Sequence, residues 1–288
     1  MDFESHREKL FLTAYRMTGS VSDAEDLVQD TYLRISLADA SMIDCPEAYL
    51  MTTLTRLCID HLRRAQTVRR AYAGKWLPEP LPTADLATPE RRAEARDMLS
   101  MAFLVLLERL SPTERAVYVL REAFDYSYRE IAAVVEKNEA ACRQIFSRAR
   151  SRIGDPGRRS DVDGAAHRRL LQDLVDTCET GDLPALESLL TADIVLTSDG
   201  GSDVKTAPNP IFARTPVARF LLGLVGKLEG SLAPAPVEAN GAPALLLHQN
   251  GQPICLASLE LRDGRISAIR LHLNRDKIGA AVQAARLN

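Results

Sequence analysis

SYREIAAVVEKNEAACRQIFSRARSRI, residues 127–153, carries the signals of two short helices joined by a tight turn. Ser127 and Glu130 stand three apart, the spacing of a capping box, in which hydroxyl and carboxylate satisfy the orphan amides of a helix start. The helix they open runs to about Val135. Glu136-Lys137 then make a turn, and Asn138 is a good N-cap for a second helix reaching Ile153. Two helices across a tight turn predict a helix-turn-helix. The second helix carries two stripes. Cys142, Ile145, Phe146, Ala149 and Ile153 must face a core, whereas Glu139, Ala140, Arg143, Gln144 and Ser147 are small or hydrogen-bonding and cluster near its start. That is what a helix entering a major groove needs. Arg matches guanine bidentately and Gln matches adenine. Arg148, Arg150, Arg152, Arg158 and Arg159 follow, suited to phosphates that position the helix. The competing reading is the solvated face of an ordinary helical hairpin.

Outward from this core, Ser111-Pro-Thr-Glu114 is a further capping box, and the block containing both extends over 99–153. Before it, 72–98 holds four prolines (78, 80, 82 and 89) and the single tryptophan of the chain, Trp76. This is a linker, but WLPEP is apolar and stiff for a spacer. The first block, 1–71, reads as all-α. Phe3–Met17 is one helix, Ser22-Asp-Ala-Glu25 is a capping box for the next, and a long helix opening near Pro46 buries Leu50, Leu54, Leu57, Cys58 and Leu62. Arg56, Asp60, Arg63 and Arg64 project from the opposite side of that long helix, and the basic run continues through Arg69, Arg70 and Lys75. Two arginine-rich helices in separate domains suit two sites along one duplex, although each alone reads equally as a solvated face. Asp23, Asp26 and Asp30 share a helix face. The helix dipole explains Asp23, but Asp30 lies too far along, so the face fits a basic protein surface. The loop Ala38–Cys45 is where a pocket for a splayed base would form.

A second linker covers 154–164, and the block 165–288 changes character. Helices over Arg168–Glu179 and Leu183–Leu190 precede a strand at Ile194–Thr197 and a helix around Pro216–Lys227. Asn240-Gly241, Asn250-Gly251 and Asp263-Gly264 then supply the positive φ that tight hairpins require. Helices followed by a β-meander make an α+β domain.

Bulk properties bound the function. A net charge of −3 excludes a uniformly basic coat, so any DNA contact must be local. Five cysteines without a CxxC pair argue against a disulfide framework or a zinc site, and for a reducing cytoplasm. MDFESHREKL is charged from residue 2, unlike a signal peptide, and no apolar run reaches the ~18 residues of a membrane span. Phosphate-binding, nucleophile-elbow, zinc-protease and dinucleotide signatures are absent, so no catalytic residue, metal or cofactor is assigned. Asp193, His248, Glu260 and His272 could line a cone-shaped pocket in the last block, but histidine on a strand is more often a half-exposed filler.

These residues resemble a known family. Asp23-Ala-Glu-Asp26-Leu-Val-Gln29-Asp30 through Arg63-Arg64 is similar to the first conserved domain of extracytoplasmic-function sigma factors of the sigma-70 family. Leu110-Ser-Pro-Thr-Glu-Arg115 through Arg148-Ala-Arg150 resembles their promoter-reading domain. Tyr72-Ala-Gly-Lys-Trp76-Leu-Pro-Glu-Pro80 resembles the linker of a subgroup with a fused SnoaL-like C-terminal domain, a cone-shaped α+β fold. Two more signatures of that subgroup are present in altered form: Asp199-Gly200-Gly201 before Lys205, interrupted by Ser202-Asp203-Val204, and Asn274-Arg275-Asp276-Lys277-Ile278, with arginine replacing a proline.

The resemblance implies roles. Asp26, Gln29 and Asp30 would grip the clamp of core RNA polymerase. Arg56, Arg63 and Arg64 would engage the −10 element. Glu139, Ala140, Arg143, Gln144, Ser147, Arg148 and Arg150 would serve the −35 element. Trp76, Leu77, Pro78, Glu79 and Pro80, with Asp199, Gly200, Gly201, Asn274, Asp276 and Lys277, would form an interdomain regulatory contact. The implied protein is cytoplasmic, is not an enzyme, and partners core RNA polymerase and promoter DNA; an unidentified small-molecule ligand of the third block stays open.

Overall fold

The computed structural model describes residues 3–37, 43, 45–70, 74–83, 99–154, 164–202, 204–228 and 232–287. The chain divides into two compact units, Met1–Ala71 with Phe103–Pro156, and Tyr72–Ala102 with Gly157–Asn288.

The first unit is helical: α1 (Glu4–Thr18), α2 (Val21–Ser36), α3 (Pro46–Arg70), α4 (Met101–Leu107), α5 (Pro112–Phe124), α6 (Tyr128–Val135) and α7 (Glu139–Ile153). The expected α3 stripe, Leu50, Leu54, Leu57, Cys58 and Leu62, is buried, as are Cys142, Ile145, Ala149 and Ile153 of α7. Ser111 with Glu114 and Ser127 with Glu130 form complete capping boxes, and the Asn138 side chain accepts from the Ala141 amide at 2.8 Å. One expected cap is elsewhere. Ser20, not Ser22, starts α2 and accepts from the Asp23 amide at 3.2 Å. Gly19 in the left-handed region ends α1 one residue earlier, which leaves Ser20 as the first extended residue able to cap.

The second unit carries α8 (Gly164–Thr180), α9 (Leu183–Leu189), β1 (Leu190–Asp199), β2 (Ile211–Phe212), α10 (Arg214–Val225), β3 (Leu232–Ala239), β4 (Ala242–Gln249), β5 (Gln252–Arg262), β6 (Arg265–His272) and α11 (Arg275–Leu287). One six-stranded sheet runs in the order β2-β1-β6-β5-β4-β3. The three predicted hairpin turns are present, with Asn240, Asn250 and Asp263 all at positive φ. The expected meander is β3 to β6, each strand antiparallel to the next, and β1 adds to it in parallel with β6, which makes the sheet mixed. The signature Asn274–Ile278 opens α11, with the Asn274 side chain accepting from the Asp276 amide at 3.1 Å.

Alternation gives the sheet two faces. Ile194, Leu196, Leu245, Cys255, Ala257, Ile269 and Leu271 pack under α8, α9 and α10. Leu246 and Leu256 face the other way, against Ile278 and Ala281 of α11.

Candidate functional site

In the first unit, the candidate −35 residues lie along one side of α7. Ala140, Arg143, Gln144, Ser147, Arg148 and Arg150 are exposed and Glu139 is half-buried. Glu139 and Arg143 form an i,i+4 pair at 3.1 Å, and the Arg143 guanidinium lies 5.0 Å from the Tyr128 ring centroid. Both contacts hold Arg143 over the start of the helix. Arg152 is engaged by Glu114 at 2.7 Å, while Arg158 and Arg159 lie outside the described residues.

On α3, Arg56, Asp60, Arg63 and Arg64 are exposed, as the periodicity predicts. Arg63 pairs with Asp60 at 3.0 Å. Arg56 has a partner that the sequence did not reveal. Its Nε and Nη2 donate to the carbonyls of Val134 and Ala133, at 3.1 and 3.0 Å, and it lies 3.3 Å from Glu136. These carbonyls belong to the last turn of α6, where helix geometry leaves acceptors unpaired and the dipole favours a cation. A contact 78 residues distant has no local sequence signature. On α5, Arg115 is buried at 3% exposure, donating to the Met17 carbonyl and pairing with Glu108, both at 2.7 Å.

On α2, Asp26, Gln29 and Asp30 are exposed. Asp23 departs from that group: it is half-buried and lies 3.2 Å from His61, so it ties α2 to α3. The acidic face continues into exposed apolar residues, Tyr32, Leu33 and Leu37. Of the loop 38–45, residues 38–42 and 44 lie outside the described residues.

In the second unit, the predicted regulatory residues meet. The Asp199 carboxylate is fully buried and accepts from the Leu77 amide at 2.9 Å, from Lys277 Nζ at 2.7 Å and from the Gly201 amide at 3.1 Å. Lys277 Nζ also donates to the Leu77 carbonyl at 2.6 Å and sits 4.1 Å from the Trp76 ring centroid. The neighbouring carbonyl, that of Pro78, receives His272 Nε2 at 3.0 Å. Burial holds His272 down to about 4, so its ring is neutral and Nε2–H is the donor. Gly200 is required by close approach, since a Cβ there would lie 2.0 Å from the Val204 carbonyl oxygen.

Leu77, Pro78, Glu79 and Pro80 are all buried, whereas Trp76 is only half-buried. Leu77, at 1% exposure, is therefore the deeper anchor. Asp276 is exposed and makes no part of this cluster, and Lys205 is exposed too. Past Pro80 the linker adds to the sheet edge: Thr83 N donates to Glu238 O at 3.3 Å and Asn240 N to Leu81 O at 2.8 Å. The Asn240 side chain accepts from Leu81 N at 3.1 Å and donates to Leu99 O at 2.8 Å.

None of the four residues considered for a cone pocket lines the cavity of this domain, the half-buried His248 included. Asp193 is exposed and pairs with Arg262, Glu260 pairs with Arg270, and His272 points to the linker side of the sheet. Among the described residues, the cavity under α8 and α10 is lined by leucine, isoleucine, valine, alanine and cysteine, together with Glu179. Alternation along β6 could have excluded His272, because it lies between Leu271 and Leu273, both lining residues.

Two family models match, Sigma-70 region 2 over residues 3–68 and Sigma-70 region 4 over residues 100–153. Among curated proteins, the chain is 35% identical over 287 residues to the ECF RNA polymerase sigma factor SigJ of Mycobacterium tuberculosis, covering 96% of this chain and 92% of that one. It is 33% identical to a probable ECF sigma factor, SigI, of the same species over 65% of each chain. Among solved structures, SigJ superposes with a TM-score of 0.77 at 33% identity, covering 97% of this chain and 98% of the other. The chain belongs to the extracytoplasmic-function sigma factors of RNA polymerase.

Proposed function

We propose that this chain binds core RNA polymerase and directs promoter-specific initiation, and that its SnoaL-like domain regulates that activity in cis by gripping the linker between regions 2 and 4. The observation that carries the second part is the buried Asp199–Lys277 pair closed around the backbone of Leu77. A spacer would leave those groups in water. Here a charged pair, a neutral histidine and a sheet edge all take up linker backbone.

Residue roles follow from exposure and charge. Asp26, Gln29 and Asp30 offer an acidic face to a basic clamp on the polymerase, with Leu33 as an apolar neighbour. Arg143 and Gln144 read −35 base edges, and Arg148 and Arg150 take phosphates. Arg63 and Arg64 engage the −10 element. Arg56 joins them only after releasing the α6 carbonyls, so the arrangement in the first unit is one that DNA binding must open. The domain serves regulation, a reading supported by the engagement of its Asp199, Lys277 and His272 with linker backbone.

In vitro transcription with core polymerase tests this, comparing the intact chain, Lys277→Met, truncation before Asn274 and truncation before residue 165. Release of the grip is expected to raise output in the first two variants, and loss of the whole domain to lower it. Equal transcription from all four proteins would refute regulation in cis.

A further inference from the structure

The two faces of the second unit's sheet are occupied very differently, and one strand serves both. Asp199, His272, Leu256, Leu246 and Ala235 are successive partners in a row across β1, β6, β5, β4 and β3. At one end of this row, Asp199 and His272 hold the backbone of Leu77 and Pro78. The adjacent row is Ser198, Leu271, Ala257, Leu245 and Pro236, one residue away along each strand and therefore on the opposite face. Leu271, Ala257 and Leu245 line a cavity of about 90 Å³, closed on the far side by side chains of α8 and α10 such as Leu174 and Leu224.

The chemistry of this cavity narrows its occupant. Protein interiors pack without voids larger than a water molecule except in a few places, so the space stands out from the rest of the core. Its walls are aliphatic, and an apolar cavity stays dry and accepts apolar guests. The two thiols in the wall, Cys178 and Cys255, are pushed up by burial to about 11 and about 12 and stay neutral. Glu179 is exposed, at the rim. A guest with a charge or a hydrogen-bonding group would lose its water partners without replacement. The volume of about 90 Å³ is smaller than the ~150 Å³ cavity that takes benzene or xenon, which limits the guest to fewer than about six heavy atoms.

We propose that this cavity is an effector site for a small apolar molecule without hydrogen-bonding groups, and that its occupancy changes the grip on the linker across the sheet. The coupling rests on the regulatory reading above. Its physical path is short. Leu271 touches the guest, and His272, the next residue on β6, donates to Pro78. One peptide unit joins them. A guest that displaces β6 must change the 3.0 Å hydrogen bond on the other face, because packed strands shift as units. By linkage, a looser linker changes guest affinity by the same factor.

Xenon is the probe, applied under pressure to the full-length protein. Its binding is read by xenon NMR, and the linker by hydrogen exchange of the Leu77 amide, which Asp199 protects at 2.9 Å. The expected result is saturable binding accompanied by a change of about five-fold or more in Leu77 protection, the lower end of ordinary coupling. Ala257→Leu fills the cavity from the sheet and should abolish both effects. Leu224→Phe fills it from α10 and serves as the second variant if the first does not fold. Absence of saturable binding overturns the site, as does binding undiminished in both filled variants. Binding that leaves Leu77 exchange unchanged overturns the coupling. None of these outcomes alters the transcription result for Lys277→Met, so the two readings fail separately.

Discussion

Lys277→Met removes one ammonium from a place where three groups depend on it. In the native protein it lies 2.7 Å from Asp199, 2.6 Å from the Leu77 carbonyl and 4.1 Å from the Trp76 ring centroid. Breaking a buried ion pair by deleting one partner costs about 3–5 kcal/mol while the remaining charge stays buried. The protein has an alternative. If residues 76–78 lift away, water reaches Asp199, and the main loss is the burial of Leu77, about 1.5–3 kcal/mol. The second response is cheaper, so the variant should release the linker end and keep its sheet. Trp76 is the only tryptophan, which makes the assay direct. Its emission should move to the red, iodide should quench it more strongly, and the Leu77 amide should lose protection. Thermal melting should fall only modestly. If Trp76 and Leu77 behave as in the native protein while the unfolding free energy drops by the full cost of about 3–5 kcal/mol, the linker is fixed by something other than this pair.

Promoter binding by Arg143→Ala and by Gln144→Ala should weaken by about 1–3 kcal/mol at one −35 base pair and lose preference there; a uniform loss with base preference intact would remove the recognition-helix assignment. Arg150→Ala should weaken binding to every sequence and flatten its salt dependence, measured by titration across salt concentrations. Asp26→Arg with Asp30→Arg should leave a folded protein that no longer co-purifies with core polymerase, because reversal sets like charges together. Burial holds both His167 and His272 down to about 4 against an ordinary 6.5, so the unfolded chain binds more protons between those values. Stability is therefore complete above pH 6.5 and falls toward pH 4, by up to about 3 kcal/mol per histidine, and His272→Gln should flatten the melting profile over that window.

The helical half was legible because its signals are local. Capping boxes, an Asn N-cap and 3.6-residue stripes each lie within a few residues of what they determine. The departures there, Ser20 for Ser22, the pairing of Asp23 with His61 and the attachment of Arg56 to α6, arise from a neighbouring helix end and from tertiary contacts. In the β half, each hairpin announced itself through Asn-Gly or Asp-Gly, but the parallel pairing of β1 with β6 joins residues some 70 positions apart and carries no turn signal. The linker residues were picked out by resemblance and by the stiffness of WLPEP. Which of them is the anchor was not legible: a lone tryptophan draws attention, yet Leu77 backbone and side chain make the deeper contact.

The grip on the linker has two parts of unlike character. At WLPEP it is electrostatic and buried. Past Pro80 it is an isolated β-bridge at the sheet edge, Pro82 opposite Ala239, with Asn240 binding Leu81 on one side and Leu99 on the other. Fixing both to one side chain closes a loop through the 17 intervening residues, at an entropic cost of about 2.5 kcal/mol. The two Asn240 side-chain bonds return about 1 kcal/mol each. They set which residues meet without holding them there. The holding must come from burial of Leu77, Thr83 and Leu99, each at 1% exposure, and from the Asp199–Lys277 pair. No single contact dominates, so weakening one part should loosen its own end first. Lys277→Met opens WLPEP and leaves the clasp at Asn240, and complete release requires that both be weakened. A linker held in this graded way can pass through partly freed states, and a regulatory domain whose own sheet forms the grip is in a position to choose among them.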